Sequence, residues 1–233
     1  MDRVFGCQCK GTAFGARARQ RTARRRRPAG VGPRYAPLVY WIAMHDDDAL
    51  RWKELSRRRV TSHSLFDLHV AERESTQGAR GEFLILHAPD WVNVVPVLSN
   101  EAGEECFLMV RQYRHGLDAI TTEFPAGLIE PGEDPAQAAE RELREETGHR
   151  AGRMTLLGRV SPNPAFMTNW CSTYLAEDLE LLGEKSLDAL EQLDAVTVPV
   201  REVESRMGTG EYINSLVMVA LFWYTRRKAA GSA

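Results

Sequence analysis

Residues 127–148, GLIEPGEDPAQAAERELREETG, place the tightest constraint on this 233-residue chain. Carboxylates at Glu133, Glu142, Glu145 and Glu146 crowd this stretch, the last three inside one predicted helix. Like charges three or four residues apart on a helix repel, so the arrangement calls for a positive partner. A hard divalent cation, which takes oxygen ligands and shares them with phosphates, meets that demand. A solvated, charge-rich surface helix is the competing reading.

Local chemistry delimits the helix. Asp134 suits the N-cap and Pro135 the first helical position. Gln137 stands three residues after the cap, where it can complete a capping box. Ala136, Ala139 and Leu143 recur at helical spacing and give an apolar side, and Gly148 suits the left-handed residue that ends a helix. Glu142, Glu145 and Glu146 then project from neighbouring positions on one face. Arg141, four residues before Glu145, is placed to orient that carboxylate. Ahead of the helix, a loop through Pro131 and Gly132 carries the chain from Gly127 to Glu133.

The pattern formed by Gly127, Glu133, Arg141, Glu142, Leu143, Glu145, Glu146 and Gly148 resembles the Nudix box, and all eight specified positions are met. His149 departs from the pattern at a packing position, where the family has an aliphatic residue. The segments VRQYR and EFPAG upstream, and a proline at 162 or 164 downstream, resemble the ADP-ribose pyrophosphatase branch of the Nudix hydrolases over roughly residues 50–226. The resemblance implies an α/β fold: a Nudix-type α/β/α sandwich with a mixed β-sheet, preceded by an N-terminal strand segment. It also implies metal-dependent hydrolysis of the pyrophosphate bond of a nucleoside diphosphate derivative, with ADP-ribose cleaved to AMP and ribose 5-phosphate. GDP-mannose or another nucleotide sugar is the alternative substrate, and a non-catalytic Nudix-fold binding protein the alternative class.

Residue roles follow from the same resemblance. Glu142, Glu145, Glu146 and the carbonyl of Ala126 are expected to hold Mg2+ or Mn2+, with Arg141 steering Glu145. Glu133 is expected to support the box. The proton acceptor is expected from the acidic loop 177–194, where alignment singles out Glu191, with Glu184 and Asp194 behind it. Arg111 and Arg114 stand three apart on a strand and so tend to opposite faces; alignment favours Arg114 as the phosphate ligand. Glu123 is the candidate contact to the terminal ribose, and Phe66 and Trp52 are candidates to stack on the base. The N-terminal strands of this branch commonly cross to a second subunit, so a homodimer is expected.

Charge is unevenly divided. Residues 1–36 hold nine arginines, one lysine and one aspartate, about +9, so the remainder carries about −11. This head has too few large apolar residues to fold alone. It reads as an arm for nucleic acid or another anionic surface, as a transit peptide poor in serine, or as sequence upstream of a working start at Met44. The organisation expected is an Arg-rich head at 1–43, a dimer-forming strand segment at 44–90, a Nudix domain at 91–228 and a tail at 229–233. No apolar run reaches membrane-spanning length, and four scattered cysteines, Cys7, Cys9, Cys106 and Cys171, suit reduced thiols in the cytoplasm.

Alternation and turn residues predict strands over 60–74, 81–88, 91–98, 106–113, 120–124, 154–160, 172–176 and 197–200, and helices over 200–207 and 213–226. Asp46–Ser56 reads as a polar segment and Asn100–Gly103 as a hairpin turn. Met207, Met218, Phe222 and Trp223 read as core or interface residues.

Overall fold

The computed structural model describes residues 47–183, 185–187 and 192–231. A short 3-10 turn, Asp47–Leu50, leads into an antiparallel sheet of three strands: β1 (Trp52–Ser62), β2 (Asp67–Ser75) and β3 (Arg80–His87), in that order. The stretch 60–74, expected as one strand, is thus the corner of a hairpin. The polar run around Ser62, His63 and Ser64 interrupts the alternation, and His63 N–H donates to the Phe66 carbonyl (2.9 Å) to close the turn. The expected polar segment 46–56 is likewise corrected, because β1 begins at Trp52 and gains its partners from β2.

A second sheet of seven strands follows. β4 (Trp91–Ser99) lies at its centre between β5 (Glu105–Arg114) and β9 (Cys171–Leu181). β10 (Leu193–Pro199) flanks β5 and β8 (His149–Val160) flanks β9, while β6 (Ala119–Glu123) pairs with β5 and β7 (Ala126–Leu128) with β4. β4 and β9 run parallel and the remaining pairs are antiparallel, so the sheet is mixed. The turn at Asn100–Gly103 joins β4 to β5, and the Asn100 side chain accepts from the backbone N–H groups of Ala102 and Glu104.

Period-two alternation divides the core between two faces. Val92 and Val94 of β4 pack with Tyr174 and Ala176 of β9 against Ala138, Ala139 and Leu143 of helix α1 (Pro135–Thr147). Val95, Phe107, Met109 and Leu175 point the other way, against Val203 of α2 (Val200–Arg206) and Val217, Ala220, Leu221 and Tyr224 of α3 (Ser215–Gly231). The result is the α/β/α sandwich with a mixed sheet that the box implied. Met207 packs against this second cluster, but Met218 and Phe222 are exposed. The inward stripe of α3 runs through residues 217, 220, 221 and 224, which turns 218 and 222 to the outside. Trp223 covers Gly158, where a β-carbon would overlap the indole ring. Cys106 and Cys171 are buried free thiols, and burial raises the Cys171 pKa to about 12. Among the described residues no helix is long and apolar enough to cross a membrane. The head, 1–43, lies outside the described residues.

Candidate active site

Helix α1 forms for the reasons its sequence supplies. Asp134 is extended (φ −73°, ψ 136°) and its carboxylate accepts from Ala136 N–H at 2.9 Å; Pro135 follows at the first position, where its missing N–H costs nothing. Gly148 ends the helix in the left-handed conformation (φ 74°) and returns its N–H to the Arg144 carbonyl at 2.8 Å. Asp134 caps alone: among the described residues Gln137 makes no reciprocal bond. His149, the departure from the box, donates through Nδ1 to the Thr147 carbonyl (2.8 Å) and opens β8.

Strand β7 gives the helix its counterpart. Its short length hid it in the sequence, yet it pairs Gly127 with Val92 and Ala126 with Asn93. Glu146 is buried, and its Oε2 accepts from the Ala126 backbone N–H at 3.0 Å. Glu142 is also buried, with its carboxyl group against Gly127; a β-carbon there would overlap the carboxylate atoms. Glycine is therefore required at 127 by close approach. Leu143, fully buried, anchors the opposite side of the helix.

Arg141 binds this group together. Its Nη1 donates to Glu142 Oε1 (2.7 Å) and Glu145 Oε2 (3.2 Å), its Nε and Nη2 to the two oxygens of Glu133 (2.9 and 3.1 Å), and Nη2 also to the Leu128 carbonyl (2.9 Å). Glu133 in turn accepts from Glu130 N–H at 2.9 Å, which closes the loop between β7 and α1. The Glu133 partnership, followed by those with Glu142 and Glu145, holds the guanidinium pKa far above its ordinary value, and Arg141 holds the Glu133 carboxyl below its own. The expectation that Arg141 steers Glu145 captured one contact of several.

The donor set suits a hard dication: three carboxylates from one helix and the adjoining Ala126 backbone are all oxygen donors. Their bonds include those to Arg141 and to the Ala126 N–H, and among the described residues no three acidic side chains are already arranged as a metal cage. Glu145 is the most accessible of the three, with its side chain about one-third exposed.

The two arginines of VRQYR do lie on opposite faces of β5. Arg111 is clasped by Glu211, from the loop between α2 and α3, at 2.8 and 2.7 Å. Thr122 donates its hydroxyl to the same carboxylate at 2.9 Å, and Arg111 with Thr122 brings the Glu211 pKa down to about 2. Arg114 is forked onto Glu123 at 3.0 and 2.7 Å, and the Glu123 carboxylate is buried. Burial pushes Glu123 up, but Arg114, Thr121 and Asn214 more than offset it, so its pKa falls below the ordinary carboxylate value. Nothing in the sequence marked Glu211 or Asn214, because their partners are about 100 and 91 residues away along the chain.

The remaining candidates are dispersed. Trp52 packs edge-on to Phe83 (5.2 Å) within the three-stranded sheet, and Phe66 stacks on His63 (5.9 Å) in the turn between β1 and β2. Among the described residues no hydrogen bond or ring contact joins either to α1. Glu184 and Glu191 lie outside the described residues. β9 and β10 are longer than expected, so Glu177 and Asp194 belong to strands; Glu177 pairs with Arg153 at 2.9 Å and Asp194 stands opposite Arg111. Past β9, Leu182 N–H meets the Gly148 carbonyl (2.9 Å) and Ser186 N–H the Glu145 carbonyl (3.0 Å) at the end of α1.

A catalytic box of this geometry on an α/β/α sandwich defines the Nudix hydrolases, and the NUDIX domain family matches residues 89–215. The chain belongs to that family, in its ADP-ribose pyrophosphatase-like branch. It is 33% identical over 163 residues to the ADP-ribose pyrophosphatase of Bacillus subtilis (strain 168), covering 68% of this chain and 86% of that one. Over 86 residues it is 49% identical to the ADP-sugar pyrophosphatase of Mus musculus, covering 37% and 38% of the two chains. A solved structure described as that of an ADP compounds hydrolase superposes with a TM-score of 0.68 at 25% identity, covering 78% of this chain and 96% of the other.

Proposed function

We propose that this Nudix hydrolase cleaves the pyrophosphate bond of ADP-ribose, yielding AMP and ribose 5-phosphate, with Mg2+ or Mn2+ as cofactor. The observation that carries the reading is the gathering of Glu142, Glu145 and Glu146 against the Ala126–Gly127 backbone. Glu142, Glu145, Glu146 and the Ala126 carbonyl would hold the dication, which neutralises phosphate charge and lowers the pKa of a bound water. Arg141 and Glu133 keep these carboxylates and the preceding loop in register. Arg114, on the face of β5 opposite Arg111, grips the diphosphate. Glu191, in the acidic stretch between β9 and β10, takes the proton of the attacking water; Glu145, whose carbonyl accepts from Ser186 N–H, is the box acid nearest that stretch.

A homodimer fits the three-stranded sheet. Trp52, Leu55, Val60, Phe83 and Leu84 are all exposed on it, more apolar surface than a solitary small sheet leaves to water. Pairing of two copies through residues 44–90 would cover this surface and bring Trp52 or Phe66 to the base of a substrate held by residues 91–228. The buried free thiols agree with a reducing compartment, the cytoplasm.

The test is product analysis on a nucleotide panel with Mg2+: ADP-ribose, ADP-glucose, GDP-mannose and diadenosine polyphosphates. The reading predicts AMP and ribose 5-phosphate from ADP-ribose at the highest kcat/KM. Rapid cleavage of GDP-mannose with ADP-ribose untouched would reassign the substrate, and no cleavage of any diphosphate would favour a binding role.

A further inference from the structure

The bonds around Glu123 are too complete for the residue to serve as a sugar ligand. It ends β6, where Val110 of β5 is its cross-strand partner, and it is 2% exposed. Oε1 accepts from Arg114 Nε (3.0 Å) and from the Thr121 hydroxyl (2.6 Å), and Oε2 accepts from Arg114 Nη2 (2.7 Å). The Asn214 side chain also faces this carboxylate and helps to hold its pKa down. An ionised carboxylate offers about four lone-pair sites. Three protein bonds occupy most of these sites, and burial closes the approach of a ribose hydroxyl to the rest.

We infer that Glu123 is a positioning residue, which acts on the substrate only through Arg114. The paired N–H bonds fix the plane of the guanidinium at the end of β5, where a flexible arginine would otherwise lose rotamer freedom on gripping a diphosphate. The inference rests on the reading of Arg114 as the diphosphate ligand.

Asn214 extends the support. Its Oδ1 accepts from Leu216 N–H at 2.9 Å at the start of α3, which holds the side chain where its amide faces Glu123. Next to it, the Glu211 carbonyl accepts from Thr122 N–H at 2.9 Å, so the loop before α3 runs along β6 as a backbone neighbour. The arginine is thus braced from the far side of the sandwich by a helix that carries no box residue.

Calorimetric binding of ADP and of ADP-ribose to the full chain separates the two roles of Glu123. ADP carries the diphosphate and lacks the terminal ribose. With Glu123→Gln, the inference expects both ligands to weaken by the same factor, about tenfold for a lost charge-assisted bond. It also expects Arg114→Gln combined with Glu123→Gln to bind no more weakly than Arg114→Gln alone. Weakening of ADP-ribose alone, or additive losses in the double variant, would overturn it in favour of a sugar contact. If Arg114→Gln leaves ADP binding unchanged, the reading of Arg114 as ligand fails and the inference with it. If Arg114→Gln weakens ADP but Glu123→Gln does not, only the inference fails. Asn214→Ser keeps a good helix cap and removes the amide donor, so a smaller loss on both ligands alike, at unchanged Tm, serves where Glu123→Gln folds poorly; no loss on either ligand counts against the inference.

Discussion

Gly127 and Glu142 touch: the carboxyl group of the helix residue fills the space that a β-carbon on the strand residue would need. The contact joins β7 to α1 and sets the depth at which the acidic face of the helix sits. Gly127→Ala is expected to push Glu142 out of place. Displacements of about 1 Å cost on the order of a hundredfold in rate, so hydrolysis should fall by about that factor. Steady-state kinetics and a melting curve check it, and an enzyme of near wild-type kcat would show that the close approach has no catalytic consequence.

Arg141 is the internal counter-ion of Glu133, Glu142 and Glu145. Arg141→Gln leaves three acids without their cation, and for a partly buried ionic cluster this costs at most about 3 kcal/mol. The melting temperature in chelator should drop. Added Mg2+ should restore part of the loss, because a ligand bound to the folded state stabilises it by mass action. Equal losses with chelator and with Mg2+ would detach Arg141 from the metal-binding acids.

The Arg111–Glu211 clasp makes an acid-sensitive contribution to stability. Glu211 titrates at about 2 when folded, because of Arg111 first and Thr122 second, against about 4.3 for an unfolded glutamate. A depressed carboxylate stabilises fully above the unfolded pKa and loses that contribution as pH falls through the folded one. The Tm difference between wild type and Glu211→Gln should therefore be constant at neutral pH and shrink between about pH 4.3 and about pH 2. Since the carboxylate is partly exposed, the difference should also shrink in high salt.

The Asp134 side chain caps the N-terminus of α1. Asp134→Ala should cost about 1 kcal/mol of stability, read by urea denaturation, and should leave kcat within a factor of a few because no catalytic carboxylate moves.

The box was legible because its chemistry is local. Asp134, Pro135 and Gly148 state where α1 begins and ends, and the spacing of Glu142, Glu145 and Glu146 puts them on one face. The sandwich was legible from alternating strands on either side of that helix. What the sequence hid is non-local. β7 is three residues long and takes its identity from β4. Glu211 and Asn214 matter because a loop after α2 folds back onto β6, and no local pattern announces it. β8 and β9 extend each other by mutual pairing beyond the apolar stretches that predicted them. Phe66 and Trp52, chosen as aromatics near the N-terminus, fall on the β1–β2 turn and on β1, where their ring partners are His63 and Phe83.

Hydrolysis of ADP-ribose by Glu146→Gln at saturating Mg2+ tests the central claim most directly. Gln keeps the shape and an acceptor for the Ala126 N–H, so the fold should persist by circular dichroism and melting. The account predicts loss of metal-dependent turnover by two or more orders of magnitude, with Mn2+ binding weakened in parallel. Wild-type turnover and wild-type metal affinity in the same variant would contradict the assignment of the buried acidic face as the dication site.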